Sequence, residues 1–303
     1  MSFSALRDVF IGRSDADYCV RSIIFLKSEV NAKNYLRNVH EVAFTSGDSY
    51  KDERWGSYPA VRRQQTTPIK TKDLNDSEFM GKQARRLSFD VSRFVEFLDG
   101  YMKADEAIKP IMLHYSMIYL LDFFSRTWLK YGRNPGHGIK LKEEEHEHCV
   151  EIRDCGIFPR AVDTFYFVGQ SSLFSMDDKG GFPNIVNLSD EIVFEKIDKM
   201  RYSELPKIKF SHLLKIYENL EKRASHDIIW RASPILVGYV ILFAISSISR
   251  YDAEVWFKMR EDRALRNKLD LLQYDFVYDW TPYILMETIL KKGLETRLGN
   301  PNR

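Results

Sequence analysis

The chain has 303 residues, of which 44% are hydrophobic and 14% aromatic, and its formal net charge is +2. This composition excludes an intrinsically disordered chain and predicts a sizeable hydrophobic core. The near-neutral charge excludes a global field that would attract nucleic acid or a membrane, so binding of either must depend on a local patch.

Cysteine usage and the first residues both predict a cytoplasmic protein. The three cysteines, Cys19, Cys149 and Cys155, form no C-x-x-C pair and are odd in number, which favours a reducing compartment over a disulfide framework. Residues 1 to 15 contain two arginines and two aspartates, so they offer no apolar core for a signal peptide.

The N-terminal region, residues 1 to 87, is predicted to hold few regular elements. An apolar run covers residues 20 to 26, and residues 29 to 40 have the pattern of a helix that buries Tyr35, Leu36 and Val39. From about residue 45 to residue 87 glycines and prolines interrupt the chain and no period survives, which predicts an irregular segment.

That irregular segment carries the strongest local charge bias of the chain. Residues 54 to 86 contain eight basic residues and three acidic ones, giving +5, together with an interspersed tryptophan and tyrosine. Such a mixture can bind phosphates and stack on bases, and a solvated loop is the alternative. The predicted nucleic-acid-binding residues are Arg62, Arg63, Lys70, Lys72, Lys82, Arg85 and Arg86.

Two neighbouring helices follow. Ser88 is a suitable N-cap for a helix in which Val91, Phe94, Val95, Leu98 and Met102 recur every three or four residues. A central helix over residues 111 to 130 is apolar on nearly every face, which predicts that it is buried. Pro110 suits its first turn and Gly132 its end.

The polar residues of the central helix form one column. His114, Asp122 and Arg126 share its i, i+4 face, and Arg133 would extend the column into the turn at residues 133 to 138. A polar stripe on a buried helix that leads to an Arg, Asn and His turn predicts a catalytic site. The alternatives are an internal Asp122–Arg126 ion pair and a core histidine at position 114 whose hydrogen bonds are satisfied.

The remaining elements are mainly helical. Alternation predicts a strand over residues 149 to 155, and amphipathic helices are predicted over residues 190 to 200 and 211 to 223. Residues 232 to 249 carry no formal charge and predict a core helix, with a membrane span as the alternative. A charged helix through Leu265, Leu269 and Leu272 follows, and Thr281-Pro282 opens a last helix.

The fold class is therefore mainly α: a bundle-like helical domain, residues 88 to 303, around a buried central helix, with a small β element. Its segments also resemble the YaaC-like proteins, a bacterial family. The resemblance lies in Lys109-Pro-Ile-Met-Leu-His-Tyr-Ser-Met-Ile-Tyr-Leu120, in Asp154-Cys-Gly-Ile-Phe-Pro159 and in Ser233 to Trp256. It implies a bacterial cytoplasmic setting and no particular chemistry.

The turn after the central helix resembles the site of the HEPN-superfamily ribonucleases, in which an Arg, commonly followed by Asn, precedes a His. Arg133 and Asn134 fit this pattern, although only three residues separate Arg133 from His137. The resemblance implies that Arg133 binds phosphate, His137 acts as a base and Asn134 orients. The alternative is that Arg133 and Asn134 cap the C-terminus of the helix and that His137 donates a hydrogen bond to a neighbouring carbonyl in the turn.

No phosphate loop, dinucleotide fingerprint or nucleophile elbow occurs, so no cofactor is predicted. His146 and His148 are a possible metal pair, and a solvated acidic connector is the alternative that we favour. Two functions stay open. The first is a binding or scaffold module that acts with nucleic acid, with a protein partner or as a homodimer. The second is a metal-independent ribonuclease, a toxin or defence effector, that uses Arg133 and His137.

Overall fold

A computed structural model describes residues 20–21, 23–45, 67–130, 136–144, 147–152, 156–158, 160–161, 164, 186–188, 191–193, 207–224 and 232–285. These residues are mainly helical and include a small antiparallel sheet, which confirms the predicted fold class. Predictions for other positions, including Arg62, Arg63, Arg133, Asn134 and His146, lie outside the described residues.

The first half of the chain builds two long helices that follow one another. Its elements are α1 (Glu29–Thr45), β1 (Thr67–Pro68), α2 (Thr71–Asn75), α3 (Ser77–Lys103), α4 (Lys109–Trp128), β2 (Leu129–Lys130), β3 (Ile139–Glu144) and β4 (Glu147–Ile152). The later elements are β5 (Val186–Leu188), β6 (Glu191–Val193), β7 (Lys207–Lys209), α5 (Phe210–Ala224), α6 (Ala232–Tyr251), α7 (Ala253–Glu261), α8 (Arg263–Asp275), a π-helical turn (Phe276–Trp280) and α9 (Thr281–Leu285).

α4 and α6 form the centre of the hydrophobic core. Nearly every residue of α4 from Leu113 to Trp128 is buried, and residues 235 to 248 of α6 are buried throughout. Trp280 packs so closely on α6 that a Cβ at Gly238 would lie 1.9 Å from its ring. The central helix was predicted to be buried because apolar residues occupy nearly every face, and residues 232 to 249 because they carry no formal charge. Both predictions are confirmed.

α3 lies antiparallel to α4 and holds its C-terminal end. Gln83 Nε2 donates hydrogen bonds to the carbonyl oxygens of Arg126 (2.8 Å) and Leu129 (3.1 Å), while Ser116 of α4 donates to the carbonyl of Phe94 (3.3 Å). His40 of α1 bonds the Thr127 carbonyl at 2.7 Å. Side chains thus satisfy carbonyls that the end of a helix leaves without a backbone partner.

The small sheet has the strand order β3–β4–β7 and is antiparallel throughout. Ile139 pairs with Ile152 at one end of the β3–β4 hairpin, and Glu144 pairs with Glu147 at the other. The acidic connector predicted near residues 143 to 148 is therefore largely strand, and the predicted strand at 149 to 155 begins at residue 147.

Several boundaries differ from the predictions for local reasons. α3 begins at residue 77 because Asp76 caps it, accepting bonds from the backbone N–H groups of Glu78 (2.9 Å) and Phe79 (3.1 Å). Ser88 is not an N-cap; its hydroxyl donates to the carbonyl of Lys27. Residues 71 to 75 and 77 to 87 are helical, so the irregular segment is shorter than predicted, and the predicted boundary after residue 87 falls inside α3.

Other corrections concern the central helix and the later elements. α4 covers residues 109 to 128 instead of 111 to 130, because the chain turns into β2 and pairs with β1. Residues 191 to 193 form a strand where a helix was predicted. Thr281 is not an N-cap, since the π-helical turn leads directly into α9.

The apolar character of α6 raises the question of a membrane span. Within the described residues, no helix is by itself long and apolar enough to cross a membrane. Residues 235–251 and 253–261 pass that test only as a pair, and the two helices are bent by 118° relative to each other.

Candidate nucleic-acid interface

Asp122 and Arg126, predicted as part of a catalytic stripe, belong to a buried ionic cluster. Arg126 Nε donates to Asp90 Oδ2 of α3 at 2.5 Å, and Arg126 Nη2 lies 3.9 Å from Asp122 Oδ2. Arg160 Nη2 lies 3.5 Å from the other Asp122 oxygen. The four side chains are between 2% and 9% exposed.

The charges of this cluster balance, which is the condition for placing ions in a core. Burial raises the pKa of Asp90 to about 7, against the opposing attraction of Arg126. The interpretation of Asp122 and Arg126 as an internal i, i+4 pair is confirmed by their separation. Their catalytic assignment stays a prediction.

His137 is held by backbone contacts with a second segment. The carbonyl of Gly136 accepts a bond from Ile157 N (2.9 Å), and the His137 carbonyl accepts one from Phe158 N (3.0 Å). Gly156 has a φ of 127°, and a Cβ there would lie 2.2 Å from Gly138 N. Glycine is therefore required at position 156, both by its dihedral and by the close approach of the His137 loop.

The His137 ring lies against His114 of α4, with ring centroids 5.4 Å apart. Tyr239 and Phe243 of α6 complete this cluster, at 5.7 and 5.5 Å from the His114 ring. Burial, followed by the positive charge of Arg250, lowers the pKa of His137, and burial lowers the pKa of His114 further. Both shifts favour the neutral form of the imidazole.

His114 differs from the satisfied core histidine that was the alternative prediction. It is 0% exposed, and neither of its ring nitrogens has a hydrogen-bond partner among the described residues. Three further buried groups have no hydrogen-bond partner among the described residues: His137 Nδ1 and the hydroxyls of Tyr239 and Ser246. An unsatisfied buried polar atom costs roughly 1–3 kcal/mol, so a cluster of them requires a reason.

The histidines predicted as a metal pair are only partly described. His148 Nε2 lies 3.4 Å from Asp252 Oδ2, and its residue pairs across the hairpin with Glu143. No group of three or more His, Cys, Asp or Glu side chains that could hold a metal occurs in the described part of the chain.

One face of α3 alternates basic and aromatic side chains. Lys82, Arg86, Phe89, Arg93 and Phe97 follow one another in steps of four, three, four and four residues, so they lie along one side of the helix. Phe89 is 50% exposed. Two of the predicted nucleic-acid-binding residues, Lys82 and Arg86, thus lie on a face that continues into aromatic rings.

Two tyrosines of α4 extend this face into a ladder of rings. Phe97 stacks on Tyr119 (5.7 Å between centroids, 11° between planes) and on Tyr115 (5.2 Å, 23°). Phe89 contacts Tyr119 edge-on at 6.0 Å, with Arg93 above its ring at 5.2 Å. We call Lys82, Arg85, Arg86, Phe89, Arg93, Phe97, Tyr115 and Tyr119 the aromatic–basic face.

The cations of this face are paired, but weakly. Lys82 lies 2.5 Å from Glu78, Arg85 lies 3.1 Å from Glu29 and Arg93 lies 2.7 Å from Glu96. All these side chains are between 45% and 78% exposed. Exposed pairs contribute about 0–1 kcal/mol, so phosphate groups can compete for the cations. Lys70 and Lys72, also predicted to bind, lie at and in the short helix α2 instead.

Arg250 lies at the end of the ladder and was not among the predicted site residues. Its guanidinium carbon lies 5.8 Å from the centroid of Tyr115, and Nη1 donates to the Tyr115 hydroxyl at 3.2 Å. Tyr115 is 135 residues away in sequence, so no local pattern could indicate this contact. The spacing of residues 82 to 97, by contrast, was available in the sequence and was not used.

A groove of about 730 Å³ lies elsewhere, between the β3–β4 hairpin, α5 and α8. Its apolar lining includes Phe210, Leu214 and Met259, and its rim includes both acidic and basic side chains. Lys268 pairs with Glu218 on that rim. The lining of this groove includes more acidic than basic side chains, so it is less suited to a phosphate backbone than the aromatic–basic face.

Comparison with known proteins does not assign a function, so a function must be inferred from the residues and their contacts. No family model, curated protein or solved structure matches the chain. The resemblances to YaaC-like and HEPN proteins stay predictions, and the proposals below depend on the contacts just described.

Proposed function

We propose that the protein is a binding module for single-stranded nucleic acid. The observation that carries the proposal is the aromatic–basic face, in which Phe89, Phe97 and the two tyrosines form a ladder beside several cations. Aromatic rings stack on bases that are not paired, and basic side chains follow the phosphate backbone. A double helix hides its bases, which makes a ladder of rings suited to single strands.

Stacking contributes about 1–3 kcal/mol per base when measured by alanine substitution, so the loss of one stacking ring should lower affinity about 5-fold or more.

Fluorescence anisotropy with a labelled single-stranded RNA and its duplex form tests this proposal. Phe97→Leu keeps an apolar side chain and removes the ring, so we expect affinity for the single strand to fall about 5-fold or more. Phe257→Leu, which alters a ring that is 63% exposed on α7, is the matched control and should bind as wild type does.

Three results would contradict the binding of single-stranded nucleic acid at this face. They are no binding by the wild type, equal losses in Phe97→Leu and Phe257→Leu, and a preference for the duplex. Sedimentation of the free protein tests the alternative that a second copy of the protein occupies this face. A dimer that Phe89→Ala dissociates would assign the face to a protein interface and would also overturn the proposal.

Metal-independent RNA cleavage at His137 is the second candidate. Its support is the neutral His137 imidazole, held by the two backbone bonds and close to Arg250, whose charge contributes to its lowered pKa. A neutral imidazole can accept the proton of a 2′-hydroxyl, and a cation beside it can stabilise charge on the phosphate.

Incubation with total RNA, with and without EDTA, tests the cleavage proposal. Cleavage that persists in EDTA and disappears in His137→Ala is the expected result. Cleavage that EDTA abolishes would indicate a metal-dependent reaction and would favour His146 and His148 as metal ligands. Absence of cleavage, with unchanged stability of the variant, would overturn the cleavage proposal and retain only the binding proposal.

A further inference from the structure

Arg250 is a cation that the protein holds firmly in place. Its Nε donates to the carbonyl of Ser246 at 3.1 Å and its Nη1 to the Tyr115 hydroxyl at 3.2 Å. The guanidinium also lies over the ring of Tyr251, at 5.1 Å from the centroid. Contacts from two helices therefore fix a half-buried positive charge.

None of these contacts is with a carboxylate. Within the described residues Arg250 has no ion pair, whereas Arg126 and Arg160 each lie within 4 Å of a buried aspartate. Neutral oxygens accept hydrogen bonds from Arg250 without cancelling its charge. A partly desolvated charge without a counterion is costly, and an anion that binds there recovers that cost.

The surroundings of Arg250 supply further groups for an anion. On α6, Tyr239, Phe243, Ser246 and Arg250 are spaced by four, three and four residues and so share one face. The His114–His137 pair lies against the first two of these side chains. A neutral imidazole carries one N–H, which can donate to an anion that reaches the ring.

We infer that Arg250 and His137 together bind a phosphate group, and that this phosphate belongs to a nucleic-acid strand lying on the aromatic–basic face. A guanidinium fits phosphate oxygens with two parallel hydrogen bonds. The assignment of the strand rests on the proposed function, because Tyr115 is both the last ring of the ladder and the anchor of Arg250. A free phosphate-bearing small molecule has the same chemistry at this position.

Histidine NMR of the full chain tests the inference with inorganic phosphate as the first probe. We expect phosphate to raise the pKa of His137, because a neighbouring anion stabilises the imidazolium. In Arg250→Gln the pKa of the ligand-free histidine should already be higher, since a positive charge is lost, and its response to phosphate should disappear. Arg266→Gln, an exposed arginine on α8, should respond as wild type does.

A wild type that does not respond to phosphate, or an Arg250→Gln variant that responds fully, would overturn the inference. Amide spectra that match the wild type away from residue 250 show that the variant is folded. A short single-stranded RNA is the second probe. If it raises the His137 pKa in wild type and less at equal concentration in Phe97→Leu, the strand is the source of the phosphate.

The two proposals fail in different ways. Phe97→Leu should leave the response to inorganic phosphate unchanged, because its ring does not contact Arg250. Response to phosphate without any response to RNA would retain the Arg250 site and exclude the nucleic-acid strand as its source. RNA binding that depends on Phe97 without any effect of Arg250→Gln would retain the proposed function and overturn the Arg250 site.

Discussion

Two arginines on the two core helices show how differently one fold can treat the same charge. Arg126 of α4 is almost fully buried and lies near two carboxylates, Asp90 and Asp122. Arg250 of α6 is half-buried and is held by a phenol and a backbone carbonyl. The first charge is balanced inside the protein, and the second is positioned without being balanced.

The two arginines therefore have different roles: Arg126 stabilises the core, and Arg250 is available to a ligand. A balanced cluster holds α3, α4 and the segment at Arg160 together, and it has no charge to offer to a ligand. An unbalanced cation that Ser246 and Tyr115 hold in place is available to an anion. The predicted stripe joined His114, Asp122 and Arg126. In the structure His114 lies against the His137 ring, while Asp122 and Arg126 lie in the ionic cluster.

Removing the balanced arginine should have the largest effect on stability. Arg126→Leu leaves Asp90 in the core without its 2.5 Å partner, so we expect a loss of about 3–5 kcal/mol in the free energy of unfolding. Arg250→Gln should change it by about 1 kcal/mol or less, as for a partly exposed side chain. Urea denaturation measures both, and similar losses in the two variants would contradict the comparison.

Gly156→Ala should disturb the His137 loop. Its φ of 127° is strained for alanine, and the added Cβ would lie 2.2 Å from Gly138 N. We expect a loss of about 1–3 kcal/mol and a shift of the His137 ring resonances. Gly81→Ala is the control, since a Cβ there meets nothing within 4 Å. Unchanged His137 resonances in Gly156→Ala would show that this close approach does not position the ring.

The buried His114 should make stability fall in acid. Its pKa is lowered on folding, so below pH 6.5 the unfolded chain binds more protons and stability decreases as pH falls. Asp90 acts in the opposite direction, because its pKa is raised on folding. Comparison of wild type with His114→Phe isolates the histidine, whose contribution changes by up to about 1.4 kcal/mol per pH unit.

Denaturation at pH 7.5 and pH 5.5 provides this comparison. A wild type that loses no more stability than His114→Phe over this interval would show that the imidazole is not held neutral. Phenylalanine suits the site because His114 already packs among Tyr115, Tyr239 and Phe243.

The exposed cations should have the smallest effects, confined to binding. Lys82→Gln should lower the slope of log affinity against log salt by about 0.7 for a single strand, with little change in melting temperature. Lys258→Gln is a close control, because Lys258 pairs with Glu254 in the same i, i+4 geometry and at similar exposure. Equal salt slopes in wild type and Lys82→Gln would exclude this lysine as a phosphate contact.

The fold was predictable for those helices whose own residue pattern indicates both a helix and its buried side. Apolar residues on all sides indicated that α4 and α6 are buried, and the three-and-four spacing of leucines indicated α8. Residues 191 to 193 were assigned to the wrong element because a short amphipathic pattern does not separate helix from strand. The β3–β4 pairing was missed because its charged residues resemble those of a solvated connector.

The site was less predictable because it depends on distant contacts. The basic residues Lys82, Arg85 and Arg86 could be selected from local charge alone. Their alignment with Phe97 and the tyrosines required α3 to continue through residue 87 and to pack against α4. Arg250 reaches Tyr115 from a helix 135 residues further along the chain, and such a contact is a property of the packed helices.

Ultraviolet crosslinking of bound single-stranded RNA, followed by mass spectrometry of the peptides, locates the strand on the protein. We expect crosslinks at Phe89, Phe97, Tyr115 and Tyr119, and we expect Arg250→Gln to weaken them without moving them to other residues. Crosslinks confined to the groove around Phe210 and Met259, or none on α3 and α4, would contradict this expectation.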